Sequence, residues 1–358
     1  MKKRLDYLDL MKGFGILLVV TSHIEDIPFA MRIWISAFTM PLFFVSGGIL
    51  MAIKDEPSRD LKTSISKRFK GIIVPYLWFS LSYFVLDIGN LLLHKIDEDM
   101  FWENLITSAT FYGKSVMWFM PAFFLANVIF LALKKRLGDV GNIIAIVVLV
   151  ILAVFAKDAL EAAYDANADS LLIKSLINTA RVPVRAVIAT PFVEFGYYFH
   201  KLMMKRHPKI DDEPILPIRI VLIVVGVALL VGIYYIGLYN GIVDMHYLVT
   251  GNIFIYYLAG LIGSYAIMMI SKGIPPFKLL VYYGKNSLIV MAVHLEYYIL
   301  WAGWRIAKLV RPHVKVCATA VYIITCVVIV FALSTIMIEV INRFFPWVLG
   351  KPMKKKEA

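Results

Sequence analysis

The stretch LDLMKGFGILLVVTSHIED, Leu8 to Asp26, sets a lysine and a histidine toward the two ends of an apolar run. Aliphatic residues at positions 12 and 23 would enter a membrane at lower cost. At about 100° per residue, the step from Lys12 to His23 amounts to three turns plus roughly 20°, so the two side chains share a face about 16 Å apart along the axis. Asp9 lies one turn before Lys12 and can neutralise it as an ion pair. Two plainer readings stand beside a functional one. Lys12 can snorkel to headgroups, and His23 can be a boundary residue in front of Glu25 and Asp26. Neither accounts for the shared face.

Composition sets the class. With 60% hydrophobic residues, 17% charged residues and a mean hydropathy of +0.77, the chain departs from an ordinary soluble domain. It reads as an all-α, polytopic integral membrane bundle. The net charge of +12 would suggest nucleic acid in a soluble chain. Here the basic residues sit in short segments between apolar runs, as in cytoplasmic membrane loops, and no nucleic-acid partner is expected. Cys317 and Cys326 fall on one predicted helix about 180° apart, so they cannot pair and no disulfide framework follows. Met1 to Arg4 followed by Gly13 to Val20 imitates a signal peptide. No small-x-small cleavage site follows, and the segment reads as a retained first helix.

Windows of about 20 mostly apolar residues recur along the chain. They predict about ten transmembrane helices, at 8–25, 31–53, 71–93, 116–133, 141–157, 183–200, 217–237, 251–271, 284–303 and 316–341. No internal repeat or long linker interrupts them, which predicts a single membrane domain over 1–350 and a basic tail at 351–358. Placing the N-terminus inside puts 25 of the 37 lysines and arginines in cytoplasmic segments. That bias predicts a multi-pass protein of the cytoplasmic membrane with both termini cytoplasmic. The segment WRIAKLVRPHVK (304–315) disagrees, being basic where an outer loop is expected. Either it meets an anionic partner, or one span is miscounted, or it is a plain exception.

Five stretches in order carry a family resemblance: YLDLMKGFGILLVVTSHI (7–24), MPLFFVSGGIL (40–50), KRFKGIIVPYLWF (67–79), MWFMPAFFLA (117–126) and YGKNSLIVMAVH (283–294). Together they resemble the acyltransferase-3 family of transmembrane O-acyltransferases, whose signature is Arg or Lys, ten residues, then His, as Lys12 and His23 stand here. The LDxxKG opening is similar to the branch of sugar O-acetylases. The resemblance implies an acyl-coenzyme A donor, acetyl-coenzyme A in the first instance, entering from the cytoplasm as a substrate. It implies no permanently bound cofactor, and an acceptor that is a sugar hydroxyl on a lipid-linked or extracellular glycan. The family often carries Arg-x-x-Arg before the proline of the third span. Here Lys67 and Lys70 keep the spacing beside Arg68, and lysine lacks the bidentate fork that grips phosphate. Which of Lys67, Arg68 and Lys70 contacts the donor stays open. With no esterase-like domain after KPMKKKEA, the membrane unit is expected to transfer the group itself or hand it to a separate protein.

Acyl transfer to a hydroxyl needs a group to take the proton, a polarised thioester carbonyl and a dry site. By the resemblance, His23 is the expected general base, suited by the near-neutral titration of imidazole. A covalent acyl-imidazole relay is the variant. Asp9 is expected to orient Lys12, and Lys12 to meet the donor's phosphates or polar arm. Glu25 and Asp26 can polarise His23 only if the helix ends early, and otherwise read as a rim feature. On the predicted ninth helix, Ser287 and His294 share a side, with Lys285 and Asn286 at one end. His294 either lines the same cavity as His23 or is a satisfied core histidine. Trp118 is either a stacking floor for sugar or donor, or an interfacial tryptophan. Asp87 and Glu194 read as buried acids without identifiable partners, and Asn252 and Asp244 as an outer rim.

Metal and nucleotide chemistry lack a signature. There is no HExxH and no close His/Cys cluster, and GKNS (284–287) lacks the glycine a phosphate loop requires. The alternative class is a transporter of a glycan or small metabolite, in which the same polar residues line a route without covalent chemistry. Transporters often carry inverted repeats or paired broken helices, and the sequence presents none. Acceptor identity, acyl length and oligomeric state have no sequence signature.

Overall fold

The computed structural model describes residues 5–167, 170–207, 211–313 and 317–352. Residues 353–358 of the expected basic tail, Met1 to Arg4, and Val314 and Lys315 of the basic segment 304–315 lie outside the described residues. Every extended element is helical: α1 (Asp6–Ser22), α2 (Phe29–Lys54), α3 (Leu61–Arg68), α4 (Val74–Leu92), α5 (Glu98–Ala109), α6 (Phe119–Ala166) and α7 (Leu171–Arg206), followed by α8 (Leu216–Asn240), α9 (Ile253–Gly273), α10 (Lys278–Lys285), α11 (Ser287–Val293), α12 (Ile299–Val310) and α13 (Ala318–Phe344). Among the described residues there is no strand, only an isolated bridge between Asp244 and Val249. The all-α expectation holds.

Among the described residues, six segments are long and apolar enough to cross a membrane. They overlap seven of the ten predicted spans. Ser115–Ala166 joins two of these through a break at Gly138, whose φ of 71° suits a residue without a side chain. The other three fall short for separate reasons. Helix α1 has 17 residues. Helix α7 carries Lys174, Arg181, Arg185 and Glu194 along its length. The predicted 284–303 span is not one helix: it breaks at Asn286 and again over 294–298, where Tyr298 has a φ of 58°. Cys317 also departs from expectation, preceding α13 with a φ of 57°, so it is not on one helix with the buried Cys326.

Two compact units divide the chain: Met1–Lys54 with Phe192–Ile338, and Asp55–Pro191 with Glu339–Ala358. In the first, α9 packs on α2 and α8, and α1 packs on α2 and α10. Leu10, Met11, Phe38, Leu42 and Phe44 form its buried core. Trp34 ties α2 to α8 by donating its indole N–H to the Leu230 carbonyl (3.0 Å). The outward face of α8 is apolar and uncovered, with Leu216, Ile220, Val224 and Val231 each more than half exposed. Such a helix belongs in lipid. In the second unit, the α6 segment after Gly138 behaves alike through Val140, Val147, Ile151 and Phe155.

The α3–α4 junction has a sequence cause. Pro75 has no N–H to donate, and just before it the chain widens into a π-turn over Phe69–Ile73, with the Val74 N–H bonding the Phe69 carbonyl. Gly350, near the chain's end, presses on the Lys70 carbonyl, and Trp347 meets Trp78 edge-on at 4.5 Å.

Helices α1 and α10 touch backbone to backbone. A Cβ at Gly284 would overlap the Asp9 carbonyl, and one at Gly13 would overlap the Leu280 carbonyl. Gly284→Val should therefore yield no folded protein by size-exclusion and thermal melting. Gly232→Ala in α8, where a Cβ meets open space, should melt no lower than wild type, since helical Gly is less favourable than Ala by about 0.5–1 kcal/mol.

Candidate active site

Two histidines from opposite ends of the sequence meet at helix ends in the first unit. Helix α1 ends at Ser22: the Ser22 hydroxyl takes the Val19 carbonyl (2.7 Å), which a further turn would have given to the His23 N–H, and the His23 and Ile24 N–H groups tighten onto the Val20 and Thr21 carbonyls (3.2 and 3.1 Å). His23 follows with φ −90° and ψ −5°, near-helical, so its side chain continues the face begun below it. It is exposed. Helix α11 stops at Val293, and His294 Nδ1 lies 3.0 and 2.8 Å from the carbonyls of Val290 and Met291 in its last turn. His294 is fully buried, and the two rings stand 5.4 Å apart at 42°. His294 thus stands beside His23 with its Nδ1 bonded within its own helix.

The rim of this pair is charged. Glu25 accepts from Lys308 (2.5 Å) and Asp26 from Arg311 (3.0 Å), both exposed. Two cations of the basic segment that is anomalous in sequence, Lys308 and Arg311, thus have anionic partners within the chain. Arg32 adds a bond to the Ile24 carbonyl (3.1 Å), and the Leu300 N–H bonds the His294 carbonyl (2.8 Å). One short helix, α12, is therefore joined to the segments that follow both histidines.

Toward the N-terminal end of α1, Lys12 and Asp9 form the expected ion pair at 2.7 Å, with the Asp9 side chain buried. Beside it is a cluster that sequence reading missed. The Tyr7 hydroxyl donates to Asp211 (2.9 Å), His200 Nε2 lies 3.6 Å from the same carboxylate, and Lys272 stands 4.4 Å from the Tyr7 ring centre. Asp211 is 204 residues from Tyr7, so no local spacing could have signalled it. Asn286 turns its amide onto the Tyr282 carbonyl (2.9 Å), capping α10, and Ser287 opens α11 half-buried.

The remaining expected residues lie in the second unit. Arg68 is committed: Nη1 bonds Asn127 (3.0 Å) and Nη2 bonds Glu56 (2.5 Å). Lys67 and Lys70 are exposed. Lys62, Ser66, Phe69 and Lys70 border a cavity of about 580 Å³ on α3. Asp60 caps that helix, and the bond from the Thr63 N–H (2.9 Å) holds its carboxyl below the usual range. Trp118 is buried with its ring 5.1 Å from the Arg185 guanidinium, which also faces the Tyr112 ring at 4.9 Å. It packs on a cation and is not an open stacking floor. Arg185 itself was legible as a lone arginine inside an apolar span. Asp87 has a partner after all, in Lys114 at 2.7 and 2.9 Å. Asn252 caps α9, and Asp244 closes a turn onto the His246 N–H.

The helical fold, its lipid-suited apolar faces and the paired histidines define a multi-pass membrane protein with a candidate acid–base site. Residues 5–338 match the model of the acyltransferase-3 family, described as an acyltransferase domain, and the chain belongs to that family. No curated protein and no solved structure matches it.

Arg68 and Lys70 should separate by stability. Arg68→Ala removes two charge-assisted bonds and should cost about 1.5–3 kcal/mol or more in unfolding experiments. Lys70→Ala, at an exposed position, should stay within about 0.5 kcal/mol of wild type.

Proposed function

We propose that this acyltransferase moves an acyl group, acetyl in the first instance, from a cytoplasmic acyl-coenzyme A to a hydroxyl of a sugar on a lipid-linked or extracellular glycan, with His23 as general base. The observation that carries the reading is the His23 imidazole. It is exposed at the end of α1, about 16 Å along that helix from the Lys12–Asp9 pair. A neutral imidazole takes the hydroxyl proton as the oxygen attacks the thioester carbonyl. The new C–O bond forms, the C–S bond breaks, and the departing thiolate recovers a proton from the imidazolium. The carboxyl-terminal end of α1 favours that transient cation, an effect of about 0.3–1 kcal/mol for an exposed group.

The basic segments favour an N-terminus inside a cytoplasmic membrane, which puts Lys12 on the donor's side and His23 on the acceptor's. Lys12, held by Asp9, meets the phosphates or polar arm of the coenzyme, and the arm's extended length is comparable with the helix segment that separates Lys12 from His23. Exposed Lys67 at the end of α3 and Lys70 in the turn after it are the phosphate candidates, and Arg68 between them is held by Glu56 and Asn127.

Acetyl-coenzyme A turnover by detergent-purified protein, scored as free thiol, tests the reading. Wild type should release thiol, and folded His23→Ala should lose at least about 10²-fold, the usual contribution of a positioned general base. Lys12→Met should weaken donor binding and raise KM with a smaller effect on kcat. Equal release by wild type and His23→Ala would remove the assignment of the base. Glycan flux across vesicles with the thioester left intact would replace the enzyme with a transporter.

A further inference from the structure

His294 has half of its hydrogen bonding explained by the fold and half unexplained. Its Nδ1 lies against two backbone carbonyls, those of Val290 and Met291. Carbonyl oxygens only accept, so Nδ1 carries the proton and Nε2 is left with a bare lone pair. That Nε2 is buried and has no hydrogen-bond partner among the described residues. A histidine serving only to cap α11 would need Nδ1 alone. A buried acceptor left open is costly and calls for an explanation. The neighbouring imidazole supplies one: its ring centre is 5.4 Å away, and a linear N–H···N bond between two imidazoles sets their centres about 5 Å apart. The observed separation is close to that value.

We infer that His294 is a positioning residue for His23, its Nε2 accepting the N–H of the His23 ring and thereby presenting the other His23 nitrogen, with its lone pair, to the acceptor hydroxyl. This rests on His23 being the base. The logic is that of other catalytic histidines, whose tautomer is set by a bond to the second ring nitrogen. In the transfer, the hydroxyl proton goes to the free nitrogen of His23 and returns from there to the leaving thiolate. His294 keeps its own Nδ1 proton throughout and exchanges nothing with substrate. The same helix end that buries His294 prevents its ring from turning, because turning would surrender both carbonyl bonds. A fixed acceptor can select one tautomer of a mobile ring.

The test is the imidazole nitrogen spectrum of full-length, detergent-purified protein labelled with ¹⁵N-histidine, with His23→Gln and His294→Gln used to assign signals. In wild type, His294 should show a protonated Nδ1 and a bare Nε2, and His23 should show one tautomer. In His294→Phe, His23 should become a mixture of both tautomers, and thiol release from acetyl-coenzyme A should fall at least about tenfold at unchanged KM. His294→Gln offers an amide oxygen as acceptor, so it should keep one tautomer and recover most of the rate. Exchange between tautomers at His23 in wild type, or one unchanged tautomer in His294→Phe, would overturn the inference. The wild-type spectrum alone decides it should the phenylalanine variant fail to fold. Failure of the base assignment itself would appear elsewhere, as thiol release indifferent to His23→Ala.

Discussion

The backbone contact between α1 and α10 is the constraint on which the histidine pair depends. At Gly13 and Gly284 two helices approach until carbonyl oxygens occupy the space a Cβ would need. From that contact both segments run the same way, α1 from Asp9 to His23 and α10 through α11 from Gly284 to His294. Two histidines 271 positions apart in sequence therefore come to their helix ends side by side. Small residues serve this purpose in membrane bundles, where dispersion and close approach replace the hydrophobic drive that water supplies.

Charge is placed by a consistent rule in both units. Ionised side chains in apolar surroundings are costly unless paired, and the buried ones here are paired or set against π-faces. Asp9 has Lys12, Asp87 has Lys114, Arg68 has Glu56, and Arg185 sits against Tyr112 and Trp118. The histidines solve the problem differently. A neutral imidazole can be buried at modest cost and still accept a proton when chemistry demands it. That property lets His294 occupy a fully buried position beside an exposed ring, where a carboxylate would have needed a counter-ion of its own.

Legibility in the sequence followed the range of the interaction. The Asp9–Lys12 pair was readable because both residues lie within one helical turn, and the His23 face because helical rotation extrapolates well across eleven residues. Most helices were readable from apolar runs alone. The break over 294–298 was not, because LEYYIL carries neither proline nor glycine and continues an apolar pattern. The Lys114 partner of Asp87 and the Asp211 partner of Tyr7 were out of reach, since periodicity says nothing about which loop folds onto which helix. Trp118 misled for a related reason. Its neighbour Arg185 lies on another helix, and without it the indole looks free.

The break in the ninth predicted span gains its meaning from what it positions. A straight helix over 284–303 would have placed His294 in mid-helix, where the Leu295 N–H would satisfy the Met291 carbonyl. Ending α11 at Val293 leaves the Met291 carbonyl to be bonded from elsewhere, and the imidazole Nδ1 reaches it (2.8 Å) while also approaching the Val290 carbonyl, which keeps the His294 backbone N–H. The price of the interrupted backbone is then met by the side chain that the interruption orients. The same interruption turns the chain into α12, whose Lys308 meets Glu25 and which is followed at once by Arg311, the partner of Asp26. Exposed pairs of this kind contribute little stability, about 0–1 kcal/mol each, so they hold α12 to the segment after His23 without locking it there. One imidazole is therefore fixed by a helix end, and the exposed one beside it is bordered by a rim held only at low cost.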